Sequence, residues 1–466
     1  MTGTAPTRTW APATAAAGGP HPAARRIPLP AGEVIDPFAL AGAHGILVAD
    51  AGRILVGVGK ATELPLPGGL SDVDGLDRAV ARLAALACDD RVPAGTTDLR
   101  PVVAFGALPF DRLEPAVLLV PSTLYCREPD GTEWATVLAA PDGTGIDETP
   151  AGLRDRLVAT AASHGGARPP EPTGPVGARV TPRSTDTAFE ASVATVVDAI
   201  ARDQVAKVVL ARRVDVALDR EPDLPALLRR WASLEPNGTL FSLPAAGGQF
   251  IGASPELLVE RRGDHVRSRP LAGTTDRFPD PAGPQPPELL ESAKDGEEHR
   301  LVVEAIRRLL APLCTTLTVP DQPELVHLHN LTHLGTAIDG TLSTGAGRPA
   351  PSALHLAALL HPTPAVGGVP RDAALALIDR LEDGPRGHYA GPVGYLDGSG
   401  DGRFVVGIRA MTVTGRTAAL TAGVGVVAGS RPETERDEAD LKFTAVFDAL
   451  APGVPFDTSG PASDAP

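Results

Sequence analysis

Lys207 stands near the start of QVAKVVLARRVDV (204–216), a run apolar enough to be a buried strand. A lysine there either runs its stem out to solvent or keeps a desolvated amine for chemistry. Alternation at period two puts Lys207, Val209, Ala211 and Arg213 on one face. An amine of that kind needs an acid partner, and Glu256 in GASPELL enters a second apolar run directly after Ser254-Pro255. Burial keeps such a carboxyl protonated, the form a general acid requires; solvation at the strand edge is the plainer alternative.

Two acidic sets have spacing that suits a cation. In AKDGEEHRLV, Asp295 and Glu298 lie three apart at the start of a helix and share a face. In ETERDEADLKF, Glu435, Glu438 and Lys442 fall within an arc of about 60° on a second helix. Either set alone reads as a solvated helix face with internal ion pairing. Together they can converge on one hard cation such as Mg²⁺, which takes oxygen ligands and retains water and a substrate carboxylate. The glycines of PLAGT (270–274) and AGVGVV (422–427) free backbone N–H groups for an anion, with structural turns as the alternative. Arg409 in VGIRA sits at a strand end as a bidentate carboxylate partner or a surface arginine.

The elements that must position these residues are short. Strands are expected over GILVAD, PAVLLVP, two runs within GTLFSLPAAGGQFIGASPELLVERR, then GPVGYLD, RFVVGIRAMTV and AALTAGVGVV. Helices are expected over DRAVARLAALA, TAFEASVATVVDAIARDQ, EEHRLVVEAIRRLLAPL, SALHLAALL, RDAALALIDRL and ERDEADLKFTAVFDAL, with Thr187 and Glu190 as a capping box. Adjacent strands joined by turns favour antiparallel sheets with outer helices, an α+β fold. Residues 1–30 read as a disordered tail, 31–165 as an N-terminal part, 185–450 as the chemistry-bearing region and 452–466 as a flexible tail. GGARPPEPTGPVGARVTPRST, between the two parts, reads as a linker or a long connection. The formal net charge of −15 argues against nucleic acid or anionic membrane as partners. Three cysteines without pairing or metal spacing, no secretion signal and no apolar run near the roughly 18 residues of a span imply a cytoplasmic protein.

Ten segments in order resemble the chorismate-utilising enzyme family: KVVLAR, GASPELL, RPLAGT, KDGEEH, HLGTAIDG, LLHPTPAVGG, GHYAGPVGY, FVVGIRA, AGVGVV and ERDEADLKF. The resemblance covers about residues 185–450 and implies a single large α+β unit of layered antiparallel sheets with outer helices. The Pro-rich passage then becomes a connection. It also implies chorismate as substrate, Mg²⁺ as cofactor and a monomer. Glu298 and Glu438 resemble the family's principal Mg²⁺ ligands, with Asp295 and Glu435 in support through water; many relatives have Glu where this chain has Asp295. Tyr389, Arg409, Lys442 and the backbone of Gly423 and Gly425 resemble the clamp on the substrate carboxylates. Gly273 and Thr274 fall beside the metal-bound carboxylate, and His333 resembles an active-site histidine.

Family members that use ammonia as nucleophile have glutamine where this chain has Lys207, and members that use water have lysine. The resemblance therefore implies water attack at C2 of chorismate with Lys207 as base, while Glu256 protonates the departing C4 hydroxyl. Ala365, in HPTPAVGG, stands where members that also eliminate pyruvate have threonine. The implied product is isochorismate, a precursor of menaquinone, catechol siderophores and salicylate. Salicylate formation and a catalytically silent chorismate-binding subunit are the alternatives.

Overall fold

The computed structural model describes residues 24–457 apart from 43–44, 87, 92, 94, 140–147, 165–176, 246, 277–286, 330 and 345–349. Two large sheets and a small one carry the fold, with helices outside them. Nearly all pairing is antiparallel, as expected for an α+β chain whose strands follow one another through short turns. Residues from the N-terminal part join both large sheets. Leu240–Ser242 pair with Leu47–Ala49 in the first, and Val393–Asp397 pair with Val103–Ala107 in the second.

The Lys207–Leu218 strand is second from one end of the first sheet, flanked by Ala178–Pro182 at the edge and by Thr417–Val426 on its inner side. Burial on both faces explains its near-continuous apolar run. Its register sets Val209 opposite Gly425 and Ala211 opposite Gly423, so two glycines carpet the face that Lys207 shares. A Cβ on Gly425 would lie 2.0 Å from Glu298 Oε1, so the glycine is what lets that carboxylate approach.

Two buried passages carry the chain between the large sheets. Gly248–Ser254 lies in the first sheet and Leu257–Arg262 in the second, with Pro255-Glu256 between them. Gly402–Val406 lies in the second and Ala410–Thr414 in the first, with Gly407-Ile408-Arg409 between. The passages are tied together: Ser254 Oγ donates to Val406 O at 2.6 Å, Val406 N to Glu256 O at 3.0 Å and Ala253 N to Arg409 O at 3.1 Å. Each expected single strand across a passage is thus two strands. Hydrophobicity does not mark the break, because both passages are buried; Pro255 and the left-handed φ of +49° at Arg409 make the turns.

Other expectations shift as well. Residues 24–28, assigned to the disordered tail, form a strand pairing with Glu133–Leu138, and Ile27 is in the core. Residues 1–23 lie outside the described residues. Phe456 of the C-terminal tail stacks on Phe443 at 5.6 Å, while 458–466 lie outside. Within the Pro-rich passage 165–176 lie outside, and Ala178–Pro182 is a strand. The helix Asp186–Ala201 is capped by Thr185, whose hydroxyl accepts from Ala188 N at 3.2 Å, not by a Thr187–Glu190 box. Glu190 instead pairs with Arg436 of the last helix, Pro432–Leu450.

Candidate active site

A cleft with an empty volume of about 570 Å³ opens where the two passages meet the glycine face of the first sheet. Every expected site residue lines it except Lys207, Asp295 and Glu435. Those three are held just behind its wall.

Lys207 has no solvent exposure, and its Nζ lies 2.9 Å from Glu298 Oε1. The angles do not make a hydrogen bond, and among the described residues the ammonium has no other partner. Such a group is held in place by charge alone and remains poised toward the carboxylate side of the cleft. Glu256, 3% exposed, faces the same cleft. Burial raises its pKa to about 8 against the opposing charge of Lys207 and a backbone hydrogen bond from Leu271, so the carboxyl is protonated at neutral pH.

The helix Ala293–Leu310 begins where Ser292 Oγ accepts from Asp295 N at 3.2 Å, a side-chain cap that sets Glu298 one turn in and facing the cleft. The Ser292 hydroxyl in turn donates to the Asp295 carboxylate, so one Asp295 oxygen is engaged at the helix cap. Burial and the nearby Glu298 charge raise its pKa, against the Ser292 bond. On the last helix Glu438 faces the cleft, and Glu435, one turn earlier, is buried against Lys294 at 2.6 Å. Burial works to raise the Glu438 pKa, but Lys442, Lys294 and the Thr274 hydroxyl outweigh it and leave the group ionised. Glu435 is pushed up by burial and by Glu438. Lys442 donates to Glu438 at 2.5 Å and to Gly423 O at 2.8 Å. Its ammonium therefore fixes a carboxylate of the protein, where the family pattern suggested a substrate carboxylate.

His333 gains a definite place. Its Nδ1 donates to Gly273 O at 2.9 Å, so Nε2 is the acceptor for the Arg409 guanidinium, also at 2.9 Å. Burial and the Arg409 charge lower its pKa well below the usual value and keep the ring neutral. A β-bulge at Gly273 (φ +70°), opposite His333, brings that carbonyl to the ring. Arg409 Nε is buried with no hydrogen-bond partner and is open to a carboxylate. The Tyr389 hydroxyl sits over the Gly423 backbone, its pKa raised by burial.

Arg386 was not foreseen. Its guanidinium meets Glu382, donates to Val366 O at 2.6 Å and to Val209 O at 2.8 Å, and stacks over Phe110. It therefore ties the Lys207 strand to the loop carrying Ala365. The i, i+4 spacing of Glu382 and Arg386 was the available signal, but it falls beyond the end of the Arg371–Leu381 helix.

Glu298 and Glu438 offer carboxylate oxygens to the cleft, which suits a hard cation. Among the described residues no three His, Cys, Asp or Glu side chains converge as a closed metal cluster. Glu298 and Glu438 can hold Mg²⁺ as two protein ligands, leaving positions for water and a substrate carboxylate. Glu435 Oε2, buried and without a hydrogen-bond partner, is consistent with a site built for added positive charge. No helix among the described residues is long and apolar enough to cross a membrane.

The chain is similar to an isochorismate synthase of Bacillus subtilis, 41% identical over 260 residues that span 54% of this chain and 64% of that protein. It is 33% identical over 348 residues to a vibriobactin-specific isochorismate synthase of Vibrio cholerae, covering 74% of this chain and 78% of the other. The solved structure of a menaquinone-specific isochorismate synthase from Escherichia coli superposes with a TM-score of 0.71 at 25% identity, covering 92% of this chain and 95% of that one. The sequence profile described as chorismate binding enzyme matches residues 50–451, and the chain belongs to that family of enzymes.

Proposed function

We propose that the chain is an isochorismate synthase that converts chorismate to isochorismate with Mg²⁺. The observation that carries this reading is a carboxyl kept protonated, Glu256, in the cleft whose wall is backed by the Lys207–Glu298 pair. Lys207, having first released its own proton to solvent and become the neutral amine, takes a proton from water as the water oxygen bonds to C2, and Glu256 gives a proton to the C4 oxygen as that bond breaks. The ring double bonds shift, one water enters, one leaves, and the pyruvyl ether stays intact. Both side chains then exchange protons with solvent and return to their starting forms.

Arg409, held by neutral His333, and the Tyr389 hydroxyl over the glycine floor bind and orient the substrate carboxylates. Thr274 steadies Glu438, and Lys442 keeps that carboxylate turned to the cleft. Glu298 and Glu438, with Asp295 and Glu435 in support, would hold Mg²⁺, which would supply positive charge for a substrate carboxylate when bound. Ala365 places no hydroxyl at its part of the wall, which favours release of isochorismate over pyruvate elimination. The names of the relatives, which include siderophore- and menaquinone-specific enzymes, support the same reading.

Purified protein given chorismate and Mg²⁺ is expected to yield a mixture of chorismate and isochorismate with little pyruvate, and to fall silent in EDTA. Stoichiometric pyruvate would make it a salicylate synthase. No consumption of chorismate would make it a silent binding subunit.

A further inference from the structure

At the cleft each of three ammonium groups is committed to a different carboxylate. Lys207 meets Glu298 at 2.9 Å, Lys442 meets Glu438 at 2.5 Å and Lys294 meets Glu435 at 2.6 Å. The three lysines differ in freedom. Lys207 is wholly buried, and Lys442 is 11% exposed and held also by Gly423 O. Lys294 is 31% exposed, starts from the first turn of its helix, and bonds only to Glu435 among the described residues. Glu435 is its opposite, 1% exposed with Oε2 buried and without a hydrogen-bond partner. A carboxylate in that setting is costly unless a positive charge stands beside it. The charges of Glu438 and Glu298 act on Lys294 as well, so its ammonium lies in the field of the whole cluster.

We infer that Lys294 is the exchangeable counter-ion of this cluster: it neutralises Glu435 in the metal-free protein and swings to solvent when a divalent cation enters. The inference rests on the Mg²⁺ assignment proposed for Glu298 and Glu438, and it concerns a residue outside that assignment. A compact ammonium on a flexible four-carbon stem suits this use, because one bond must break and no planar fork need be unlocked. One consequence is weak metal binding before substrate arrives, since the ion must displace a resident charge without yet gaining the substrate carboxylate.

Mn²⁺ serves as the probe, followed by the electron paramagnetic resonance of the free ion, with protein alone. Lys294→Met is expected to bind Mn²⁺ roughly tenfold more tightly than wild type. In EDTA the variant is expected to melt below wild type, because Glu435 is then buried beside Glu438 without its lysine partner, and Mn²⁺ is expected to restore the loss. Wild-type protein gives a readout that needs no variant: labelling of Lys294 by an amine-reactive reagent, followed by mass spectrometry, is expected to be slow in EDTA and faster with Mn²⁺. Equal Mn²⁺ affinity in the two proteins, or a labelling rate indifferent to Mn²⁺, overturns the inference and leaves the metal assignment standing. No Mn²⁺ binding by either protein, even with chorismate present, overturns the metal assignment and the inference with it.

Discussion

Where the N-terminal part joins the second large sheet, Glu128, Arg53, Asp98, Arg262, Glu260, Arg403 and Asp50 form a chain of alternating charge, with contacts between 2.6 and 3.2 Å. At the cleft, lysines meet carboxylates one by one. Each arginine engages two carboxylates, and Glu128 is further held by Trp134 Nε1 at 2.9 Å. Burial works to raise the pKa of Glu128, but the Thr97 hydroxyl, Trp134 and Arg53 outweigh it. Asp98 is likewise lowered, by Arg53 and Arg262 against burial. At the cleft Glu256, Asp295 and Glu435 are all raised, burial being the largest cause. The guanidinium fork reaches two carboxylates at once and makes a structural joint. The ammonium is a single point that leaves carboxylate oxygens open to a ligand. One cluster is finished, and the other is completed only by what binds.

The comparison breaks most visibly in turnover. Lys207→Ala and Glu256→Gln are each expected to lose ~10²–10⁴-fold in kcat on chorismate while the circular dichroism spectrum stays that of the wild type. In wild type the rate is expected to fall as pH passes about 8, where Glu256 loses the proton it must donate. Glu256→Gln should lack that limb. Near-wild-type turnover in either variant would remove that residue from the proton transfers.

The structural joint answers to a different measurement. Glu128→Gln leaves Arg53 with a weaker partner at a buried site and is expected to cost ~3 kcal/mol in urea unfolding, with the rate per folded molecule unchanged. Because the folded pKa of Glu128 is lowered, its stabilisation is present above the unfolded value and is lost as pH falls through the folded one. A large loss of turnover in the folded fraction would mean that the two clusters are coupled.

The smallest effect has the opposite sign. The pKa of Glu256 is raised in the folded state, so between the unfolded carboxyl value and about 8 the folded protein binds the extra proton. Stability therefore falls as pH rises through that window. Glu256→Gln removes the penalty and is expected to be more stable than wild type at pH 8, with no gain at pH 4. A loss of stability at pH 8 would show that the carboxyl contributes to the fold rather than costing it.

The residues of the cleft were largely legible in the sequence, because their motifs are local: GASPELL places Glu256, and the i, i+3 spacing of Asp295 with Glu298 and of Glu435 with Glu438 survives any tertiary arrangement. Period-two reading of the Lys207 strand also holds, with Val209 on the cleft wall. The sheet passages were not legible, since burial on both sides of Pro255 and Arg409 hides the break from a hydrophobic pattern. Strand Ala24–Pro28 was hidden by its Ala/Pro-rich surroundings, and Arg386 because its partners come from three separate segments.

What the sequence alone determined is the α+β class and the short-range spacing that sets Asp295 with Glu298, and Glu435 with Glu438, on one face of a helix each; the roles proposed for Lys207 and Glu256 come from the family resemblance. Tertiary structure decided how those groups are used. It folded Lys442 back onto Glu438, turned Asp295 toward its own helix cap, set Lys294 against Glu435, and gave His333 the task of holding Arg409. The reason is physical: an ion pair or hydrogen bond depends on which charges meet after strands as distant as Lys207–Leu218 and Thr417–Val426 have paired, and that meeting leaves no trace in local periodicity.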